Sequence, residues 1–157
     1  KNSERDIEFK RQVVGIDIEI RKHNKEAILN HALNPWITLI EGSSIDKNII
    51  SKIEGISKEY NKIMVILDSN HSYEHVKNEL EAYAHLVSTD SYCIVFDTII
   101  ENLEDVEWHQ RNWGVGNNPM TAVEEFIKRN NDFAIDKKID SKLMISVAPN
   151  GYLKKIN

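Results

Sequence analysis

The chain has 157 residues, 41% of them hydrophobic and 29% charged, which is long enough for one domain that buries roughly two thirds of its unfolded surface. Its 20 basic residues are scattered and outnumbered by 25 acidic ones, for a net charge of −5, which argues against nucleic acid as a partner because phosphate neutralisation drives that affinity. No apolar run approaches a membrane span, the first twelve residues lack the apolar core of a signal peptide, and Cys93 has no second cysteine to pair with, so a cytoplasmic protein in reducing surroundings, away from membranes, is the expectation.

Residues 1–12 (KNSERDIEFKRQ) form a charged segment, and residues 13–157 read as an α/β domain. Val13–Ile18 is β-rich and is followed by a helical segment, His23–His31. Trp36–Ile40 is the next strand. Ser43, Ser44 and Asp46 can cap a helix running to about Tyr60, with Gly55 weakening its middle. Ile63–Leu67 is five apolar residues in a row, the pattern of a parallel strand buried on both faces. It stops at Asp68, Ser69, Asn70 and His71. The helix Ser72–Leu86 then places Val76, Leu80, Tyr83 and Val87 on one face at spacings of four, three and four.

Tyr92–Phe96 is the following strand. It contains Cys93 as a small buried residue and ends in Asp97 and Thr98. From Ile99 to Asn118 the periodicity dissolves into a polar stretch with Trp108, His109, Trp113, Gly114 and Gly116, which reads as a lid or binding loop. A helix from Pro119 to Asn130 begins with proline where the missing N–H costs little. Phe133–Asp136 and Leu143–Val147 read as a closing pair of strands, Lys154–Lys155 as a solvated tail, His75 as helix surface, and Met64, Met120 and Met144 as core fillers. The alternation of strands and helices predicts a mostly parallel sheet flanked by helices.

In such sheets ligands bind at the carboxyl ends of the strands. Asp68 and Asp97 end two successive strands, so they can share a divalent cation or flank one substrate; the alternative is that each merely caps the segment after it. Asp17 ends the first strand, as an acid ends the second strand of a nucleotide-binding α/β domain. The Gly-rich turn that should precede it by about 20 residues has no room in the twelve residues before Val13. The expectation is therefore the C-terminal portion of a longer domain, whose N-terminal strand and Gly-rich loop lie outside this chain.

The segments VVGIDIEIR, LIEGSSID, VILDSNHSYEHVKNELEAYAHLV, IVFDT, NPMTAVEEFIKRNNDF and PNGYLKK occur in the order seen in the cephalosporin hydroxylase family, which the chain resembles from Gln12 onward. That resemblance implies a Rossmann-like methyltransferase sheet, mostly parallel with a C-terminal antiparallel strand. It also implies S-adenosyl-L-methionine as cofactor and a site laid out like that of metal-dependent catechol O-methyltransferases. By resemblance Asp17 accepts the ribose hydroxyls, with Glu19 as substitute. Gly42, Ser43 and Ser44 pass the adenine edge, Asp46 caps the next helix or touches the base, and Asp68 and Asp97 hold a metal such as Mg²⁺. Family members often carry an acid before the second metal-binding acid; here that position is Phe96, which removes one anionic oxygen from the proposed site.

Within that frame His71 is the candidate base, since an imidazole titrates near working pH. Its alternative is a solvated or capping histidine. Asn70 and Tyr73 are candidate substrate contacts. Trp108 and Trp113 either stack on a sugar or fold back as a satellite core. The expected function is O-methyl transfer to a small hydroxylated molecule, a glycan sugar or a secondary metabolite, by a homo-oligomer. The rival is a degenerate, non-catalytic binding module or partner subunit of the same fold. A hydroxylase role has no support, because no two-His-one-carboxylate iron motif is evident.

Overall fold

The computed structural model describes residues 11–104, 106 and 110–157. These fall into two compact units whose boundary, between Ile53 and Glu54, lies within a helix.

In the first unit, strand β1 (Val13–Asp17) is followed by helix α1 (Lys22–Leu29), a 3₁₀ turn at Asn34–Trp36, strand β2 (Ile37–Glu41) and helix α2 (Lys47–Ser57). β1 and β2 pair in parallel, with Val13 opposite Ile37 and Asp17 opposite Glu41. Parallel neighbours need a crossover, and α1 supplies it. Asp46 starts α2 as expected, its Oδ1 accepting from the amides of Asn48 at 2.9 Å and Ile49 at 3.2 Å. The helix ends at Ser57, short of Tyr60.

The second unit holds strand β3 (Val65–Leu67), helix α3 (Tyr73–Tyr83), strand β4 (Tyr92–Val95), helix α4 (Pro119–Arg129), strand β5 (Phe133–Ile135), helix α5 (Lys137–Leu143) and strand β6 (Tyr152–Lys155). The sheet order is β3-β4-β6-β5. β3 runs parallel to β4, and β6 runs antiparallel to both β4 and β5. Three strands therefore point one way, and the C-terminal strand is reversed. This is the expected α/β class, mostly parallel with one antiparallel strand near the end.

Val76, Leu80 and Tyr83 of α3, with Val87 beyond it, are all buried, as their spacing predicts. They share the core with Cys93 and Val95 of β4, Leu153 of β6, and Ala122 and Val123 of α4. Each valine or leucine among them is worth roughly 1.5–3 kcal/mol of burial. α4 begins with a reciprocal cap: Asn118 Oδ1 accepts from the amides of Met120 and Thr121, and Thr121 Oγ1 accepts from the Asn118 amide. Burial, and secondarily the charge of Glu79, push the Cys93 thiol up to about 12.

Four expectations need correction. β3 is three residues at a sheet edge, and burial alternates along the run: Leu67 is buried, whereas Ile66 is 51% exposed and Met64, just before the strand, 55%. A run of apolar residues does not by itself show that both faces are covered. Leu143–Val147 is not a strand, because α5 occupies its start and Met144, at φ +60°, turns the chain outward with 86% exposure. Its place beside β5 is taken by β6. Lys154 and Lys155 are thus strand residues rather than a tail, with the Lys155 amide donating to the Ser91 carbonyl at 2.9 Å. Of the three methionines only Met120 is a core filler. Gly151 admits β6 to its place: a Cβ there would run into the backbone carbonyl of Val95.

Candidate functional site

The parallel register sets Leu67 against Val95, so the loops leaving β3 and β4 start side by side. The Phe96 amide extends the ladder by donating to the Leu67 carbonyl at 3.0 Å. The chain then turns sharply, with Asp97 in the left-handed region at φ +56° before a 3₁₀ turn over Thr98–Asn102. Thr98 is fully buried and its hydroxyl donates to the Pro149 carbonyl at 2.7 Å, which pins the turn.

This geometry brings three of the candidate residues together. His71 Nε2 lies 3.1 Å from Asp97 Oδ2 and 3.7 Å from Asp68 Oδ1. One ligating atom from each of Asp68, His71 and Asp97 lies within 4.8 Å of the others. Asp68 is held above the ordinary carboxylate range by burial first and by the Asp97 charge second, with His71 opposing both. Two carboxylates in mutual repulsion beside an imidazole form a donor set that fits a divalent cation. Phe96, between Val95 and Asp97, adds no oxygen to it.

The other candidates divide. Trp113 sits against His71, with ring centroids 5.2 Å apart and planes at 46°, and the Arg111 guanidinium lies 5.5 Å from the Trp113 ring. Asn70 Oδ1 accepts from the Ser72 amide at 3.0 Å, tightening the turn into α3. Tyr73 is engaged elsewhere: its hydroxyl donates to Glu125 of α4, and its amide to Asn117 Oδ1 at 3.0 Å. Trp108 and His109 lie outside the described residues.

In the first unit the carboxyl ends of β1 and β2 gather Asp17, Glu41 and Gly42. The Gly42 amide donates to the Asp17 carbonyl at 2.8 Å. The exposed Asp17 carboxylate accepts from the Glu19 amide at 3.1 Å. Gly42 adopts φ +144°, and a Cβ there would collide with the Ile49 side chain. Backbone without a side chain, next to an accessible acid, is the cradle that a nucleoside needs. Ser43 sits at the turn into α2, its carbonyl accepting from the Asp46 amide at 3.0 Å, and Ser44 is buried.

Three acids escaped the sequence reading. Glu41 stands opposite Asp17 and its Oε2 accepts from the Ile20 amide at 3.3 Å. Glu101 Oε2 accepts from the Gly116 amide at 2.8 Å and from the Asn118 side chain, tying the loop before α4. Glu79, on α3, is buried beside Ser69 and His75. His75 is therefore not simple helix surface. Position 79 falls on the buried stripe of α3, and that was the signal available.

Residues 3–156 match the family model described as Rhamnosyl O-methyltransferase/CmcI. The Rhamnosyl O-methyltransferases of Mycobacterium bovis (strain BCG / Pasteur 1173P2) and Mycobacterium tuberculosis (strain ATCC 25618 / H37Rv) are each 33% identical over 121 residues, covering 76% of this chain and 47% of theirs. That of Mycobacterium leprae (strain TN) is 29% identical over 124 residues, covering 78% and 52%. The chain thus spans about half the length of the curated relatives it matches. Among solved structures, MycE methyltransferase from the mycinamycin biosynthetic pathway, in complex with Mg and SAH, aligns with a TM-score of 0.51 at 15% identity over 93% of this chain and 38% of its own. That likeness concerns the fold alone.

Proposed function

Because the chain belongs to the Rhamnosyl O-methyltransferase/CmcI family, we propose that it forms part of an S-adenosylmethionine-dependent O-methyltransferase whose acceptor is a sugar hydroxyl. The observation that carries this reading is the meeting of Asp68, His71 and Asp97 at the carboxyl ends of β3 and β4. S-adenosylmethionine supplies an electrophilic methyl group on sulfur, and a divalent cation such as Mg²⁺, held by Asp68 and Asp97, would supply Lewis acidity toward the acceptor oxygens.

The chain's own residues then divide the work. Asp17, with Glu19 as substitute, accepts the ribose hydroxyls, and Gly42, Ser43 and Ser44 pass the adenine edge. His71 takes the proton of the acceptor hydroxyl as its oxygen bonds to the methyl carbon and the carbon–sulfur bond breaks. Asp97, 3.1 Å from Nε2, stabilises the imidazolium so formed. Trp113 offers an aromatic face to the sugar beside His71, and Asn70 offers its amide as a donor. Holding nucleophile and methyl in line is worth up to about 7–11 kcal/mol. The cytoplasm as location and a homo-oligomeric state belong to the same proposal; among the described residues no helix is long and apolar enough to cross a membrane.

The test is calorimetric titration of the full-length protein with S-adenosylmethionine, followed by transfer of labelled methyl to a rhamnose-bearing acceptor. The expected results are saturable heat, and a loss of about 10²–10⁴-fold in turnover for His71→Ala. Phe96 in place of a third acid favours the non-catalytic binding module as second reading; absence of both heat and transfer would establish it in place of the first.

A further inference from the structure

Glu79 on α3 is a carboxylate that methyl transfer does not use. It is 2% exposed, which is rare for an acid. It lies three residues after Val76 and four before Tyr83, on the helix face that packs the core, where leucine would be the economical choice. Its Oε1 accepts from Ser69 Oγ at 2.7 Å and lies 3.6 Å from His75 Nε2, one helical turn back. Its Oε2 is buried and makes no hydrogen bond to any of the described residues. A buried acid with one oxygen idle is costly, so the use of the other oxygen is what needs explaining.

That other oxygen holds Ser69, the residue after Asp68 and two before His71. The loop's other contacts lie within it or at its mouth: the Ser72 amide bonds the Asn70 side chain at 3.0 Å, and His71 meets Asp97 and Trp113. The Ser69–Glu79 hydrogen bond ties the loop to the helix behind it.

We propose that Glu79 is a positioning residue: through Ser69 it sets the loop that aims Asp68 and His71 at Asp97, with His75 Nε2 beside the same oxygen. What the aimed groups do rests on the functional reading above; the anchoring itself does not. The carboxylate is retained on a core-facing position because it fixes the loop.

Hydrogen exchange of the full-length protein tests this, read on the amides of residues 68–72 against those of α3. Ser69→Ala and Glu79→Leu should each speed exchange in 68–72 about tenfold or more, the scale of a lost hydrogen bond to a charged group. The double variant should add little to either, since one bond is removed in both. Glu79→Gln, which keeps an acceptor oxygen, should retain most of the protection. Glu79→Leu should hold or raise Tm, which separates a loosened loop from a weakened core. Mn²⁺ affinity, measured by paramagnetic resonance, should fall in Ser69→Ala and Glu79→Leu and be rescued in Glu79→Gln. Unchanged protection at 68–72 in Glu79→Leu, or equal loosening throughout α3, would overturn the proposal. A wild-type protein that binds no Mn²⁺ counts against the cation half of the functional reading, and the exchange result still decides the anchor.

Discussion

His71 Nε2 and Asp97 Oδ2 stand 3.1 Å apart although they come from loops after different strands. The parallel pairing of β3 with β4 makes the approach possible, and the left-handed turn at Asp97 completes it. The backbone and the side chain of Asp97 therefore have separable duties. Asp97→Gly relieves a left-handed conformation worth roughly 1–2 kcal/mol while adding a similar entropic cost, so stability should change by less than about 1 kcal/mol. The heat of Mg²⁺ binding should vanish in the same variant. Asp97→Val loses the carboxylate as well and puts a β-branched side chain at φ +56°, so it should also unfold earlier; scanning calorimetry with cation titration separates the two effects.

Gly42→Ala meets two penalties at once, the positive φ and the Ile49 side chain in the way. The expected loss is about 1–3 kcal/mol by denaturant titration. Ile49→Ala in the same chain should relieve the steric part and leave the backbone part. Cofactor affinity should fall in both variants, because the Gly42 turn shifts away from Asp17.

Tyr73 and Glu125 form a pH-dependent link between α3 and α4. The Tyr73 hydrogen bond, chiefly, holds the Glu125 carboxyl below its ordinary value of 4.5, with Lys77 and Arg129 adding to it and burial opposing. A depressed acid favours the fold above its unfolded pKa, and the benefit is lost as pH falls through the folded value. Tyr73→Phe should therefore raise the Glu125 pKa toward 4.5, read by carboxyl carbon resonance. The stability gap between variant and parent should be present at neutral pH and close in acid.

Cys93 is completely buried and its thiol is pushed up to about 12. At pH 8 the native protein should leave a disulfide-exchange reagent unreacted, because the thiolate is the nucleophile and neither it nor the reagent has access. Addition of denaturant should release one thiol per chain.

The sequence made the strand–helix alternation, the buried stripe of α3 and the carboxyl-end acids readable, because each depends on short-range periodicity or on a fixed offset from a strand end. Asp68, His71 and Asp97 do gather as that logic requires. What escaped it depends on partners distant in the chain. Ile66 belongs to a hydrophobic run yet is 51% exposed, because an apolar run does not state which sheet face is covered. The hydrogen bond of Tyr73 to Glu125 on α4 joins residues far apart in the chain, and no local pattern announces it. Lys154 and Lys155 look like a tail by charge alone, and only the pairing with β4 and β5 makes them a strand. Glu79 breaks the apolar pattern that surrounds it, and periodicity treats such a break as noise.

The reversed strand β6 stands between β4 and β5, and this orders events during synthesis. β3 and β4 can zip together as soon as both have left the ribosome, but β5 has no strand to lie against until residues 152–155 follow it out. Until then β5 exposes an open edge, and a nascent chain stalled before Tyr152 presents that edge to whatever else is extended nearby. A fusion or tag added beyond Lys155 would leave the lysines paired, whereas a stop placed at Gly151 would leave β5 detached from β4.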